Sequence, residues 1–305
     1  MRVAALDQGT NTTRLLVADV VDGHLDEVVR RTTITRLGEG VDRRRRLLPQ
    51  PIARVRNVLA DYRRELEALG AERALLIATS AVRDAENGEA FLGEIEWSYG
   101  FTTQLLSGDE EAELILRGVG DVDDETVVLD VGGGSTELVM RGYRTSVDIG
   151  SVRLTERFVH SDPPSSQELD ACAVHARESL PGDLHATRAI GVAGTVTSIA
   201  ALDLGLEQYE RERVHGHLLT ARALDEQLGR LAAMNEAQRR EVLLEPDRAP
   251  VIVAGAVIVR EALRVLGLDE LQVSEHDILD GAALAAAELP EPEEGAAPPG
   301  AYTCC

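Results

Sequence analysis

The hydrophobic and polar positions of the chain follow two periods that alternate along its length. Short apolar and β-branched runs predict strands at 2–7, 14–20, 25–35, 73–78, 102–106, 126–130, 136–140, 145–149, 187–192 and 270–274. Between them, apolar residues recur every three or four positions, which predicts helices at 51–69, 88–97, 108–118, 165–180, 195–203, 220–232, 249–266 and 277–288. Strands precede helices in both halves of the chain, so the pattern predicts an α/β fold.

One stretch, LDVGGGSTELV at 129–139, places three consecutive glycines between two apolar runs. A P-loop would need a lysine, and the chain contains none. A dinucleotide-binding fingerprint would need a helix after the glycines, whereas the residues that follow have the pattern of a strand. The stretch therefore predicts a strand, a tight glycine turn and a second strand, whose N–H groups and hydroxyls an anion can approach closely. An ordinary hairpin turn is the alternative.

The N-terminal segment 7–16 repeats this pattern when it is laid without gaps over 130–139. Asp, Gly, Thr and Leu coincide at four offsets, and each copy follows an apolar run. An internal repeat of this kind indicates two related domains, each with its own hairpin.

A change to glycine and acidic residues near 118–121 indicates the boundary between these domains. We expect domain I at 1–118, domain II at 119–289 and a disordered tail at 290–305. The alternative in which the C-terminal helix, 277–288, packs back on domain I stays open.

The composition limits the classes of protein. With 305 residues the chain is long enough for two domains. The longest apolar run, 251–259, is far shorter than the roughly 20 residues that cross a bilayer. Because the N-terminus runs directly into a predicted strand without the apolar core of a signal peptide, we expect a cytoplasmic protein with no membrane partner. Cys172, Cys304 and Cys305 form neither a disulfide framework nor a spaced metal site.

The formal net charge of −22 argues against generic nucleic-acid binding, which normally needs a basic surface. A phosphate substrate is still compatible with it, because the basic residues are concentrated in short arginine runs at 43–46, 63–64 and 239–240, and at Arg83. A solvated surface is the alternative explanation for each run.

Seven stretches, in order along the chain, resemble one family: DQGTNTTRLLVAD (7–19), ATSAVRDAEN (78–87), LSGDEEAELILRGV (106–119), LDVGGGSTELV (129–139), GVAGTVTSIAAL (191–202), VHG (214–216) and VSEHDILDGAAL (273–284). The chain resembles the exopolyphosphatase and guanosine pentaphosphate phosphohydrolase family, within the superfamily of actin, sugar kinases and chaperone ATPases. This resemblance implies two actin-like (ribonuclease H-like) α/β domains that face a central cleft.

Polyphosphate hydrolysis needs anion cradles, a divalent cation and a group that activates water. The candidate phosphate-binding residues are those of the two hairpins: Thr10, Asn11, Thr12, Gly132, Gly133, Gly134, Ser135 and Thr136. The candidate ligands for Mg²⁺, or Mn²⁺, are Asp7, Asp130 and Glu137, because these carboxylates end or follow the strands beside the hairpins. For the two aspartates, a turn cap is the alternative.

The segment SGDEEA at 107–112 opens a predicted helix, where acidic residues commonly complement the helix dipole. The resemblance implies that Glu111 is the base that activates water, while Asp109 and Glu110 are expected to be caps. Arg83 is a candidate phosphate clamp, unless Asp84 holds it in a structural pair.

Two further positions resemble the family. The turn at Gly194 and Thr195, before a helix, faces adenosine in nucleotide-binding relatives and is expected to contact phosphate here through the helix N-terminus. A structural role is expected for His215. Gln8 occupies a place where a small or apolar residue is expected, which puts the fine substrate preference in question.

The resemblance favours an exopolyphosphatase that releases the terminal phosphate of inorganic polyphosphate. Short chains are expected as substrates, because the helical C-terminal extension of longer family members is absent and the net charge is −22. The alternatives are a guanosine pentaphosphate phosphohydrolase, a kinase or ATPase of the same superfamily, and a non-catalytic nucleotide sensor. We expect no nucleic-acid partner, and a homodimer stays open.

Overall fold

The computed structural model describes residues 1–290, which divide into two compact units. The first contains residues 1–120 and 278–290, and the second contains residues 121–277. The predicted tail, 290–305, lies outside the described residues except for Pro290.

The first unit is a mixed five-stranded sheet with helices. Its elements are β1 (Arg2–Gln8), β2 (Thr12–Val21), β3 (His24–Ile34), α1 (Val41–Arg44), α2 (Pro49–Ala68), β4 (Arg73–Ala78), α3 (Ser80–Arg83), α4 (Gly88–Tyr99), β5 (Thr102–Leu105) and α5 (Gly108–Val119). The strand order is β3-β2-β1-β4-β5. β1, β2 and β3 pair antiparallel, while β1, β4 and β5 run parallel.

The longest helix of this unit shows why the chain folds in this way. In α2, Val55, Leu59, Tyr62 and Leu66 are buried, and their spacing of three and four residues puts them on one face of the helix. They join the core formed by the apolar residues of β1, β2 and β4. The charged positions between them lie nearer the surface, except for Arg63, which is buried and donates to the Tyr99 carbonyl.

The second unit contains a mixed six-stranded sheet. Its elements are β6 (Thr126–Val131), β7 (Thr136–Met140), β8 (Tyr143–Val147), α6 (Ser151–Phe158), α7 (Ser166–Ser179), β9 (Arg188–Val192), α8 (Ala193–Asp203), α9 (Arg211–Val214), β10 (Leu218–Thr220), α10 (Ala221–Ala232), α11 (Glu236–Val242), a 3₁₀ turn (Pro246–Arg248), α12 (Ile252–Leu266) and β11 (Glu270–Val273). The strand order is β10-β11-β9-β6-β7-β8.

The apolar run at 251–259 lies in α12, where residues 252–259 are all buried in the core of this unit. In the described part of the chain, no helix is long and apolar enough to cross a membrane.

The final helix, α13 (Ile278–Glu288), belongs to the first unit and packs on α5, β1 and β2. Gly281 lies against the backbone of Leu114, where an added Cβ would be 2.0 Å from the carbonyl oxygen. Ion pairs fasten both ends of the helix, through Arg30 to Asp280 at 2.8 Å and through Arg117 to Glu288 at 2.6 Å.

The two sheets share a topology, as the sequence repeat predicts. The order β8-β7-β6-β9-β11 in the second unit corresponds to β3-β2-β1-β4-β5 in the first, with antiparallel and parallel pairs in the same places. The two-unit actin-like α/β fold is confirmed, and every predicted strand and helix exists within a few residues of its predicted bounds.

The only elements of the described chain without a predicted counterpart are short, namely α1, α3, α6, α9, α11, β10 and the 3₁₀ turn. None is longer than eight residues. Segments of this length hold too few turns for a periodic pattern to be distinguished from a loop.

Candidate active site

The first phosphate hairpin joins β1 to β2, and the Gly9 N–H donates to the Thr12 carbonyl at 2.9 Å to close its turn. Its carbonyl oxygens are turned toward the segment that follows β3: Thr10 O accepts from the Gly38 N–H at 2.8 Å, and Asn11 O accepts from the N–H groups of residues 35 and 36 at 3.0 and 2.9 Å. Within residues 1–290, the N–H groups of Thr10 and Asn11 have no hydrogen-bond partner. The hairpin therefore offers donors to an anion.

Some side chains of this hairpin hold its structure, whereas others can bind a ligand. The Thr10 hydroxyl is buried and bonds to the Ser80 hydroxyl at 2.8 Å, which ties the hairpin to α3. Asn11 is buried as well, yet neither its amide oxygen nor its amide nitrogen has a partner in the described chain. A buried polar group normally finds a hydrogen bond, so the Asn11 amide is the side chain best placed to bind a phosphate oxygen.

Gln8 has a structural explanation. Its side chain is fully buried, its Nε2 donates to the Gly9 carbonyl at 3.2 Å, and its Oε1 accepts from the Thr13 hydroxyl at 2.8 Å. An apolar residue would leave the Thr13 hydroxyl with only its bond to Thr35, at 2.9 Å. Gln8 thus holds the base of the hairpin and does not line it.

Asp7 lies opposite Arg14 in the β1–β2 register. The Arg14 guanidinium donates through Nε and Nη2 to the same carboxylate oxygen, at 2.8 and 2.6 Å. Both side chains are largely buried. The sequence pattern did not predict this pair, although the alignment of the two hairpins places Arg14 over Glu137.

The acidic run that opens α5 separates into two roles. Ser107 and Glu110 form a capping box, in which Glu110 Oε2 accepts from the Ser107 N–H at 2.8 Å and from its hydroxyl at 2.7 Å. The Ser107 backbone bond, then its hydroxyl bond, lowers the pKa of Glu110. The capping role predicted for Glu110 is confirmed. Glu111, one residue further, is only 6 % exposed.

Arg83 binds Glu111 and not Asp84. Its Nη1 donates to Glu111 Oε2 at 3.1 Å and to the Leu106 carbonyl at 2.7 Å, whereas Asp84 approaches Arg45 at 3.7 Å. The predicted alternative, a structural pair with Asp84, is therefore wrong. Within the described chain the Nε and Nη2 groups of Arg83 have no hydrogen-bond partner, so they can donate to a phosphate.

The second phosphate hairpin joins β6 to β7 as predicted, with an antiparallel register that starts at Val131 and Thr136. The N-terminus of α6 binds its carbonyl oxygens: Gly132 O accepts from the Ser151 N–H at 2.9 Å, and Gly133 O accepts from the N–H groups of residues 152 and 153 at 2.8 and 3.1 Å. Within residues 1–290, the N–H groups of Gly133, Gly134 and Ser135 have no partner. Three successive free donors of this kind form an anion-binding nest.

Two residues that hold this hairpin were missed by the sequence analysis. The buried Arg153 side chain donates from Nε to the Gly134 carbonyl at 2.7 Å. A Cβ on Gly150 would lie 2.4 Å from backbone atoms of Gly133 and Gly134. The sequence signal was available in GSVR at 150–153, where a glycine precedes a hydroxyl residue and an arginine at the start of a short helix.

The predicted hydroxyl ligands of the second hairpin also differ in role. Thr136 is fully buried, and its hydroxyl donates to the Ile149 carbonyl at 2.7 Å. It therefore supports the hairpin from behind. The Ser135 hydroxyl makes no hydrogen bond in the described chain, so it can bind phosphate.

Asp130 and Glu137 lie directly opposite each other in the β6–β7 register, and both are buried. Glu137 Oε1 accepts from the Ser146 hydroxyl at 2.7 Å. Residues opposite each other on antiparallel strands point to the same face, so the two carboxylates share a side of the sheet. Mg²⁺ usually takes one or two carboxylates and completes its shell with water and phosphate oxygens, and this pair fits such an ion.

A complete protein cage for a metal is absent from the described chain: among residues 1–290, no group of three or more His, Cys, Asp or Glu side chains is placed to hold an ion. The structure brings Asp130 and Glu137 together, while Asp7 belongs to the other unit and is paired with Arg14.

The turn before α8 is also occupied by a side chain. The guanidinium of Arg248 covers Gly194, where an added Cβ would lie 2.0 Å from Nη2. Glu245 holds Arg248 through a 2.5 Å bond to Nε. Thr195 is buried against Gly255 of α12. If this turn contacts phosphate, Arg248 is the group that carries the charge.

His215 contacts the segment that follows β11. Its Nδ1 accepts from the Glu275 N–H at 3.3 Å, and its ring meets the His276 ring at 5.2 Å. Burial, then the neighbouring His276 and Arg211, lowers the pKa of His215. These contacts agree with the structural role expected from the sequence.

Two units of one topology, each with free N–H donors at a glycine-containing hairpin, define a phosphate-binding protein of the actin-like type. A family model described as the Ppx/GppA phosphatase family matches residues 16–286. The chain belongs to this family and is a phosphoanhydride hydrolase.

Individual relatives agree with this assignment. The chain is 42% identical to a protein named Exopolyphosphatase 2 from Mycobacterium tuberculosis, over 94% of this chain and 98% of that one. A crystal structure of an exopolyphosphatase-like protein superposes with a TM-score of 0.87 at 32% identity, over 95% of this chain and all of that one. The Aquifex aeolicus member of the Ppx/GppA family superposes with a TM-score of 0.77 at 29% identity, over 94% and 98% of the two chains.

Proposed function

We propose that the protein is an exopolyphosphatase, which releases the terminal phosphate of inorganic polyphosphate by attack of water. The observation that carries this proposal is the state of Glu111. It is a buried carboxylate beside the guanidinium of Arg83, whereas the carboxylate of its neighbour Glu110 binds Ser107 in the helix cap. The names of the similar proteins from M. tuberculosis, both exopolyphosphatases, support the same substrate.

Each group has a distinct task in this proposal. The free N–H donors of the hairpins and the Asn11 amide bind phosphate oxygens, since backbone donors held in place in advance need no reorganisation. Arg83 adds a guanidinium with Nε and Nη2 available. Glu111 orients the attacking water and accepts its proton at a carboxylate oxygen.

A divalent cation, Mg²⁺ or Mn²⁺, would be held by Asp130 and Glu137, with Asp7 as the third predicted ligand. When bound, it neutralises the charge of the phosphate oxygens. Asp7 fits this role less well, because one of its oxygens already accepts two bonds from Arg14.

The test is phosphate release from inorganic polyphosphate without any acceptor, with guanosine pentaphosphate in a parallel assay. We expect release from polyphosphate at the higher kcat/KM. A kinase would release little phosphate without an acceptor, and a sensor would bind without turnover. Faster release from guanosine pentaphosphate would contradict the substrate assignment and favour the alternative activity. A cytoplasmic location and a homodimer stay predictions.

A further inference from the structure

Four consecutive arginines, Arg43 to Arg46, form an exposed turn in the first unit, which we name the arginine turn. Among residues 1–290, the side chains of Arg43, Arg44 and Arg46 make no hydrogen bond or ion pair, and Arg45 reaches Asp84 only at 3.7 Å. Other exposed arginines of this unit are paired at close range: Arg31 with Glu65, Arg54 with Glu39, and Arg56 with Glu94.

The backbone of the arginine turn is fixed at both ends. Val41 and Leu47 are buried on either side of it. The Arg45 N–H donates to Val41 O, and Arg45 O accepts from the Glu86 N–H, both at 2.8 Å. The Asn87 amide oxygen accepts from the Leu47 N–H at 2.8 Å, and the Asn87 amide nitrogen donates to the Leu47 carbonyl at 3.2 Å. Four like charges therefore follow one another on a fixed backbone segment, although like charges repel.

The segment that precedes this turn is anchored to the first phosphate hairpin. Gly38 donates to Thr10 O at 2.8 Å and packs so closely that an added Cβ would lie 2.2 Å from the Thr10 methyl group. Arg43 follows Gly38 by five residues, so its Cα lies at most about 18 Å from that anchor. At its other end the turn approaches Asp84, the neighbour of Arg83.

The charge of the whole chain makes this local concentration significant. A polyanion is repelled by a protein of net charge −22 except where cations gather. Guanidinium groups bind phosphate oxygens in a planar, two-point geometry. A row of such groups near a phosphate hairpin fits a ligand that repeats phosphates along its length.

We propose that the arginine turn binds the phosphates that follow the terminal one in an inorganic polyphosphate chain. This inference rests on the proposed function and adds the site that holds the rest of the substrate. It also refines the expected chain length: affinity rises until the substrate spans the hairpin and the turn, and then stays level, since the turn is short.

The experiment compares Arg43, Arg44 and Arg46 changed together to Ser with a control that removes three exposed arginines of the second unit, Arg141, Arg222 and Arg230. KM and kcat are measured for tripolyphosphate and for a long polyphosphate. We expect KM for the long chain to rise about tenfold in the arginine-turn variant, from three exposed ion pairs of ordinary strength. The kcat values, and the KM for tripolyphosphate, should change much less, and the control should resemble the unmodified protein.

A second readout separates this inference from the proposed function. Binding of long polyphosphate is measured in excess chelator, so that it does not depend on turnover. The affinity and its dependence on salt should both decrease in the variant, as for other polyanion sites, and lysine at the three positions should restore part of the affinity.

Equal affinity of variant and unmodified protein, or an equal loss in the control, overturns the inference. The inference is also overturned if an oligonucleotide of equal charge competes for the site as well as polyphosphate does. Absence of turnover with intact, arginine-dependent binding would contradict only the proposed function.

Discussion

In the first hairpin Asp7 lies opposite Arg14, whereas in the second Asp130 lies opposite Glu137. The strands, their register and their place in the sheet correspond in the two units. Both hairpins also turn their carbonyl oxygens toward the segment after the third strand, at residues 35–38 in one unit and 151–153 in the other. The shared backbone supplies anion donors twice, while one side-chain position decides the local charge.

This difference indicates a division of labour. An aspartate paired with arginine is neutral as a pair, so the first hairpin is suited to holding phosphate beside Arg83 and Glu111 of its own unit. Two carboxylates on one face are suited to a divalent cation. Two units of the same topology therefore differ in the local charge of equivalent hairpins, through Arg14 in one and Glu137 in the other.

The largest effect expected from this comparison is the loss of activity when the metal is removed. Excess chelator should abolish phosphate release, and Mg²⁺ or Mn²⁺ should restore it, because phosphate charge needs a cation beside the Asp130 and Glu137 pair. The measurement is phosphate release in chelator with added metal. Full activity in excess chelator would contradict the assignment of a cation to the second hairpin.

Glu111→Gln should lower kcat by about 10²–10⁴-fold with little change in substrate affinity, since it removes a base and keeps the shape of the side chain. Glu110→Gln is the matched control and should keep most of the rate, with a stability loss of about 0.5–1 kcal/mol from the weakened cap. Steady-state kinetics and thermal unfolding measure both. If Glu110→Gln proves to be the inactive variant, the base is assigned to the wrong residue.

Asp7 and Asp130 occupy equivalent positions, but Asp7→Asn should mainly affect stability and Asp130→Asn should mainly affect the response to Mg²⁺. Asp7→Asn weakens a largely buried ion pair, so we expect a loss of about 3 kcal/mol in the free energy of unfolding. Asp130→Asn should mainly raise the Mg²⁺ concentration needed for half-maximal activity, and should reduce the increase in Tm that Mg²⁺ causes in the unmodified protein. Equal losses of stability in both variants would contradict the division of labour.

Gly150→Ala should disturb the second hairpin alone. The new methyl group would meet the backbone of Gly133 and Gly134 at 2.4 Å, so we expect a loss of about 1–3 kcal/mol in stability and a higher KM. Thermal unfolding and kinetics measure the two effects.

Gly93→Ala is its control and gives the smallest change. Gly93 lies exposed in α4 with no atom within 4 Å of the added Cβ, so the same exchange should stabilise the protein by about 0.4–1 kcal/mol and leave KM unchanged. A KM that stays unchanged in Gly150→Ala as well would show that the hairpin geometry does not depend on α6.

The amino-acid sequence by itself determined the elements, the repeat and the type of chemistry. Periodic apolar positions specify which residues are buried, as in α2, where Val55, Leu59, Tyr62 and Leu66 reach the core. The glycines of 132–134 and the hydroxyls around them specify hairpins that admit an anion, because only glycine leaves the backbone open. The capping role of Glu110 also followed from local sequence, since a capping box is formed within one turn of a helix.

Only the tertiary structure decided which side chains are left for the substrate. Contacts between residues distant in sequence bind Thr10 to Ser80, Arg83 to Glu111 and Arg153 to Gly134. Hydrogen bonds of this kind depend on distance in space, which the spacing of residues along a chain does not encode. For the same reason the sequence proposed Asp84 as a partner of Arg83 because it is adjacent, while the fold placed Glu111, 28 residues away, within 3.1 Å of it.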